Sequence, residues 1–573
     1  MHTGIFLWIL SLAVASPLPA GPPTASKITF QSNKFRQDAV KEIFTHAWKG
    51  YYQYAFPHDE LHPVDNGFGD SRNGWGASAV DALSTAILME LPEVVTNITN
   101  YIPTINFSAT KRPMDEISVF ETTIRYLGGM LSGYDLLDGP FAHLVSNRSN
   151  IDALLTQSKT LADNLLIAFD TPTRIPDNTV FFTPNKTRSG DLTNGLATIG
   201  TLVLEWTRLS DLLRNPKYAR LTQHAESFLL DPQPPSSEPF PGLVGTYVSL
   251  ADGKFQDASG GWGGGDDSFY EYLIKMFVYD PLRFRKYRDR WIAAADSSIT
   301  FLASHPSSRP DLTFLAAWDG KNLQYQSEHL ACFNGGNFIL AGLALRNEGY
   351  RDFGLQLVDG CRATYAATAS HIGPEVFNWL PASCGTNITT KAPLPPKGPV
   401  KRDDPLLKAA ATSPYRVAPA APTVTGNVRV AHNEAAAAVS CVVPAAQADF
   451  YAKNGFWLEN PTYDLRPEVL ESYYYAYRAT GDPKYQEWAW EAIVAINETT
   501  RVGSGFTMIK DVNKVGGGSF AYNNQESFFF AEVLKYAYLI FVEEGEWQVN
   551  PNGDGWVGDW VFNTEAHLVR TAW

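Results

Sequence analysis

Two adjacent acids, Asp266 and Asp267, close a glycine-rich approach and open an amphipathic helix in GGWGGGDDSFYEYLIK, Gly260 to Lys275. Three further segments set a carboxylate at the start of a helical pattern: SVFETTIRYLGGML with Glu121, DLRPEVLESYYYAYR with Glu468 and Glu471, and NNQESFFFAEVLKYAYL with Glu526. Carboxyl groups facing one another across a cavity can divide the work of general acid and general base. Each acid also has a structural explanation. Ser118 with Glu121, Ser268 with Glu271 and Asn523 with Glu526 all read as capping boxes, and Pro467 suits a first helical position. Singly the acids read as caps. Together they read as helix starts that converge on a site.

The elements that must bring them together are helical hairpins. WTRLSDLLRNPKY and YYYAYRATGDPKY each run an amphipathic helix into an Asn/Asp-Pro turn, after which Pro starts another helix with an aromatic residue to pack. Phe120, Ile124, Leu127 and Leu131 recur at helical spacing, as do Val80, Leu83 and Ile87, and alternating strand-like runs are few. Taken alone, Asp81 within the latter helix reads as a surface acid. The pattern continues almost to the end of the chain, where WVFNTEAHLVR carries Thr564 and Glu565. The fold class is all-α: if the hairpins close into a barrel, one ring of helices presents its N-termini at a common end.

Composition sets the compartment and the ligand class. With 573 residues, 45% of them hydrophobic, the chain can bury a large core. A net charge of −14 disfavours nucleic acid, whose binding rests on basic residues, and suits a neutral ligand. The apolar run Ile5 to Ala15 is too short to span a bilayer and ends in small residues, so residues 1–15 are expected to be a signal peptide and 16–34 a leader. A secreted or lumenal monomer without a membrane span follows. Sequons at Asn97, Asn106, Asn147, Asn185, Asn387 and Asn497 fit that route, and the chain ends without a KDEL-type retention signal. Four cysteines lack zinc spacing and suit disulfides; of three possible pairings, Cys332 with Cys361 is favoured because both lie in helical segments that a short connection could set side by side. A Pro/Ala-rich stretch at about 388–448, with a dibasic Lys401-Arg402, reads as an exposed insertion in a catalytic unit covering 35–573.

FETTIRYLGG, GGDDSFYEYLIK, HLACF, YDLRPEVLES, QESFFFAEVLKY and FNTEAH, in that order, resemble the class I α-1,2-mannosidases of glycoside hydrolase family 47, particularly secreted fungal members. The resemblance implies an (α/α)7 barrel, a calcium ion at its floor, and inverting hydrolysis of terminal α-1,2-linked mannose from high-mannose N-glycans. Carried over by motif, Glu121 matches the general acid, Asp267 the second catalytic carboxylate, and Glu468 the general base. Thr564 matches the calcium-binding threonine. Asp81, Glu205, Glu271, Glu471, Glu526 and Glu565 match acids lining the barrel; Arg125, Arg466 and His329 match residues near the sugar; and Cys332 and Cys361 match the family disulfide. Two positions depart from the pattern: Asp266 stands where a small apolar residue is expected, and Ser84 replaces a frequent Asp. Two other readings compete: a lectin-like binder of high-mannose glycoproteins that has lost turnover, and an α/α-barrel glycosidase acting on glucans, which would have no use for Thr564 and calcium.

Overall fold

The computed structural model describes residues 27–385, 389–391, 441–552 and 557–572. Helices dominate, and they pair in sequence: Ala77–Leu88 with Pro92–Tyr101, Gly128–Leu137 with Arg148–Leu165, Val203–Leu213 with Lys217–Leu230, Asp267–Tyr279 with Arg285–Ser297, Phe333–Ala344 with Glu348–Ala367, and Glu468–Thr480 with Lys484–Thr500. A last hairpin joins the two ends of the chain, because helix Lys34–Tyr54 packs outside the final helix, Leu534–Leu539. The first member of each sequential pair touches the next, and the turn Phe529–Val533 that leads into the final helix packs on Ala77–Leu88, which closes an (α/α)7 barrel.

Sequence decides which ring a helix joins. ASAVDALSTAIL is buried at every position, as an inner helix must be. Lys217–Leu230 instead buries Tyr218, Ala219, Thr222, Ala225, Glu226 and Leu229 and turns its remaining side chains outward, the stripe of an outer helix. The Asn/Asp-Pro connectors behave as expected, with a left-handed residue ending the first helix (Arg214, φ 51°; Gly481, φ 67°) and Pro216 or Pro483 preceding the second. Apolar side chains from Val40 to Val569 form one continuous core.

Some expected features are built differently. Ser118 does cap its helix, accepting from the Glu121 N–H at 3.2 Å, but the helix passes at once into a π turn, Thr122–Leu127, before regaining α geometry. Ser268 is no cap, since the helix begins at Asp267 and Glu271 pairs with Lys275. Asn523 accepts from the Val64 N–H at 2.8 Å, and the last helix begins later, as another π turn at Phe529–Val533. Nor does helix continue to the end: Trp560–Phe562 and Leu568–Arg570 form an antiparallel hairpin, with strands too short to show their alternation in the sequence.

Two disulfides are present, Cys332–Cys361 between the paired segments and Cys384–Cys441. The second lies beside the described ends of the expected insertion, where Thr389–Lys391 pairs in parallel with Val442–Pro444 and Val443 joins a small cluster with Leu380, Tyr451 and Trp457. The expected signal peptide, most of the expected leader, Asn387 and most of the stretch 388–448 with Lys401-Arg402 lie outside the described residues. Among the described residues no helix is long and apolar enough to cross a membrane.

Candidate active site

The N-terminal turns of the inner helices meet in one cavity. Glu121 and Arg125, Asp267 and Glu271, Glu468 and Glu471, and Glu532 line it, together with Arg466, Phe120, Phe333 and Phe528. Its floor is the tip of the C-terminal hairpin, which carries Thr564 and Glu565. The Asn563 side chain builds that tip. Its Oδ1 accepts from the N–H groups of Glu565 (2.9 Å) and His567 (2.7 Å), while its Nδ2 donates to the Ile124 carbonyl and to Glu205. Ala566 completes the turn in the left-handed region at φ 54°, and Leu465 beside the cavity does the same. Such backbone is costly for a residue with a Cβ and is held by its surroundings.

Four of the residues expected from sequence, three acids and His329, stand outside this lining. Asp81 is fully buried, contrary to a surface reading, because it accepts from Ser527 and lies 3.2 Å from His567 Nε2 and 3.5 Å from Arg125. Glu205 accepts from the Tyr272 hydroxyl at 2.6 Å and from Asn563 at 2.8 Å, leaving its second oxygen buried without a partner. His329 backs Glu468, with Nδ1 2.8 Å from its Oε2 and Nε2 2.8 Å from the Tyr365 hydroxyl. Glu526 sits at the rim beside Asn524.

The carboxyl groups differ sharply in charge state. Glu121 is buried, which would raise it, yet Arg125 at 2.8 Å, Arg72 at 3.7 Å and Arg466 hold it well below the usual carboxylate range. Burial also acts on Glu468, but the His329 hydrogen bond and Arg466 outweigh it, and it too is held below its ordinary value. Asp267 has no such cation. Burial pushes it up to about 7, with Glu271, Glu328 and Glu468 adding to the shift. Beneath them burial, with neighbouring acids adding, lifts Glu205, Glu471 and Glu565 to about 8 and Glu532 well above its ordinary value.

Several participants escape a reading of the sequence. Arg72 lies in a loop remote from every motif. Glu532 is hidden in an apolar run, although its place three residues before Lys535 in FFFAEVLKY was a usable signal. Phe528 lies between two guanidinium groups, 5.5 Å from Arg125 and 5.7 Å from Arg466, an apolar face with a charged rim. Asp266 is explained by its Oδ2, which accepts from the Gly261 N–H at 2.9 Å and so fastens the glycine-rich approach. Ser84 bonds His567 and Lys535.

A cavity of this kind, lined by a raised carboxyl and by lowered ones, is equipped to give one proton and take another. The glycosyl hydrolase family 47 model matches residues 43–571. A mannosyl-oligosaccharide alpha-1,2-mannosidase of Penicillium citrinum is 51% identical over 542 residues, covering 95% of this chain and 93% of that protein. One named 1B, from Aspergillus phoenicis, is 49% identical over the full length of both. The solved alpha-1,2-mannosidase from Trichoderma reesei superposes with a TM-score of 0.83 at 48% identity, covering 94% of this chain and 100% of that one. Over this extent and at this identity, the chain belongs to glycosyl hydrolase family 47.

Proposed function

We propose that the protein hydrolyses terminal α-1,2-linked mannose from high-mannose N-glycans, with inversion, in the secretory route of a fungus. The support is a carboxyl-lined cavity in which burial raises Asp267 while His329 and Arg466 lower Glu468, in a chain about half identical to named alpha-1,2-mannosidases. Inversion needs one protonated carboxyl at the leaving oxygen and one carboxylate that activates water on the opposite face of the sugar. Glu468, ionised and oriented by His329, takes the proton from water. Asp267 keeps a proton to about pH 7 and gives it to the leaving oxygen. The resemblance assigns that donation to Glu121, but Arg125 and Arg72 hold Glu121 ionised. Glu121 is better suited to stabilise positive charge developing on the sugar ring.

The floor suits a calcium ion. Thr564 offers a carbonyl and a hydroxyl, hard donors of the kind calcium takes, among buried acids of which Glu205 keeps an oxygen unpartnered. Among the described residues no three His, Cys, Asp or Glu side chains converge as direct ligands. Thr564 would hold the ion, with the carboxylates gripping its waters, and when bound it would supply a fixed oxygen-coordinating point for the sugar hydroxyls.

Mannose release from α-1,2-linked mannobiose, with and without a chelator, tests the reading. Turnover should stop on chelation and return with calcium, and the metal-free protein should melt at a lower temperature. Asp267→Asn should lose turnover of the disaccharide yet recover it on an aryl mannoside whose leaving group needs no proton, whereas Glu468→Gln should not recover. Recovery by Glu121→Gln instead would return the donor's role to Glu121.

A further inference from the structure

Under the cavity floor runs an uninterrupted series of buried polar contacts whose direction can be read from donor chemistry. Lys535, on the final inner helix and fully buried, donates to the Ala566 carbonyl and, at 2.8 Å, to Ser84 Oγ. Burial lowers Lys535 to about 7, against the pull of Glu532, Asp81 and Glu565; below that pH it is an ammonium, with three donors and no acceptor, and Ser84 accepts from it. The one proton of Ser84 is then free to point at its other neighbour, His567 Nδ1, 3.0 Å away. Pointed there, it meets a lone pair at Nδ1 and puts the His567 proton on Nε2, which faces an oxygen of the Asp81 carboxylate at 3.2 Å, an acceptor. The other oxygen of Asp81 accepts from Ser527, and Ser527 accepts from Arg125 at 3.1 Å. Arg125 in turn donates to Glu121 at 2.8 Å and to Glu565. Two directed chains thus end on one carboxylate, Asp81, one from Lys535 and one from the guanidinium that grips Glu121.

We propose that Ser84 and Lys535 are positioning residues for the reaction: they lock His567 as its Nε2–H tautomer, and through Asp81 and Ser527 this fixes the guanidinium that holds Glu121. The proposal rests on the role given to Glu121 above. Ser84 has the group the lock requires, since a hydroxyl can accept from lysine and donate to imidazole while a carboxylate can only accept. Burial, the largest influence on His567, lowers its pKa to about 4 and keeps the ring neutral. The same lysine ties down Ala566, the left-handed residue beside Glu565 and Thr564. A change at Ser84 or Lys535 therefore reaches the cavity by two routes, though neither residue lines it.

The tautomer can be observed directly. In the full-length protein labelled with 15N-histidine, two-bond proton–nitrogen correlations should show one ring, lost in His567→Gln, in the Nε2–H form. In Ser84→Ala that preference should be lost, and kcat should fall by about tenfold to a hundredfold with KM little changed, the usual size of effect when a supporting partner is removed. Lys535→Met should do the same, and the double variant should be no worse than the worse single one, because both cut one chain. A wild-type His567 carrying its proton on Nδ1, or on both nitrogens, overturns the proposal, as does folded Ser84→Ala with undiminished kcat. Reading the tautomer needs no turnover. Once the ring is identified through His567→Gln, it can overturn the relay even if the Ser84 and Lys535 variants fail to fold, and it separates an error in this relay from an error in the role given to Glu121, which would show as Glu121→Gln retaining full turnover.

Discussion

Replacing His329 with Phe should move one side of the pH profile and leave the other in place. The imidazole Nδ1 lies 2.8 Å from Glu468 Oε2 and is the largest of the influences that lower this buried carboxyl; Arg466 is a lesser one. Hydrogen bonds to a charged group contribute about 1.5–3 kcal/mol, and 1.36 kcal/mol corresponds to one pKa unit, so losing this bond should raise Glu468 by about one to two units. The sign follows from the carboxylate being the working form: with a higher pKa, more acid protonates Glu468 and silences the base. Turnover should therefore fade at a higher pH on the acidic side. The basic side, set by loss of the Asp267 proton near 7, should stay, since Glu468 is still ionised there and still repels a charge on Asp267. The assay is kcat/KM for mannobiose from about pH 3 to 8, which reports the free enzyme, with melting curves to confirm that Phe fills the imidazole space. An unmoved acidic limb at normal maximal turnover would show that Glu468 is not the base. Movement of the basic limb alone would make Glu468 the proton donor.

Two further outcomes test the frame around the site. Glu226, fully buried on helix Lys217–Leu230, is raised by burial well above its ordinary 4.5. The folded state then binds the extra proton, stability falls as pH rises above about 4.5, and Glu226→Gln should raise the melting temperature near pH 8, by about 1–2 kcal/mol in stability, with no gain near pH 4. An equal gain at both pH values would refute it. Replacing Cys332 and Cys361 with Ser should cost about 2–5 kcal/mol and leave KM unchanged; altered KM would mean that the bond shapes the cavity through neighbouring Leu330 and Phe333.

Hairpins and inner faces were legible in the sequence because helical periodicity is a local property, and NPKY and GDPKY punctuate it with residues whose backbone preferences are strong. The site was legible only where acids fall at helix starts, as at Glu121, Asp267 and Glu468. Asp81 looked like a surface acid because the groups that bury it, Ser527, His567 and Arg125, come from distant segments. The terminal hairpin was hidden by strands of three residues, too short for period-two alternation to register. Charge state was the least legible, since it depends on which carboxylate has a guanidinium beside it, as Glu121 has and Asp267 lacks.

The terminal hairpin also has a temporal meaning. Residues that build the cavity floor, Asn563 to His567, leave the ribosome after every helix of the barrel, and helix Lys34–Tyr54 must wait for Phe541, whose carbonyl accepts from the Asn33 N–H and the Gln37 side chain. Contacts so far apart in sequence form slowly. Until its last residues are made, the chain lacks the floor that its acids face and the final helix that closes the ring, so the nascent chain cannot complete its own active site.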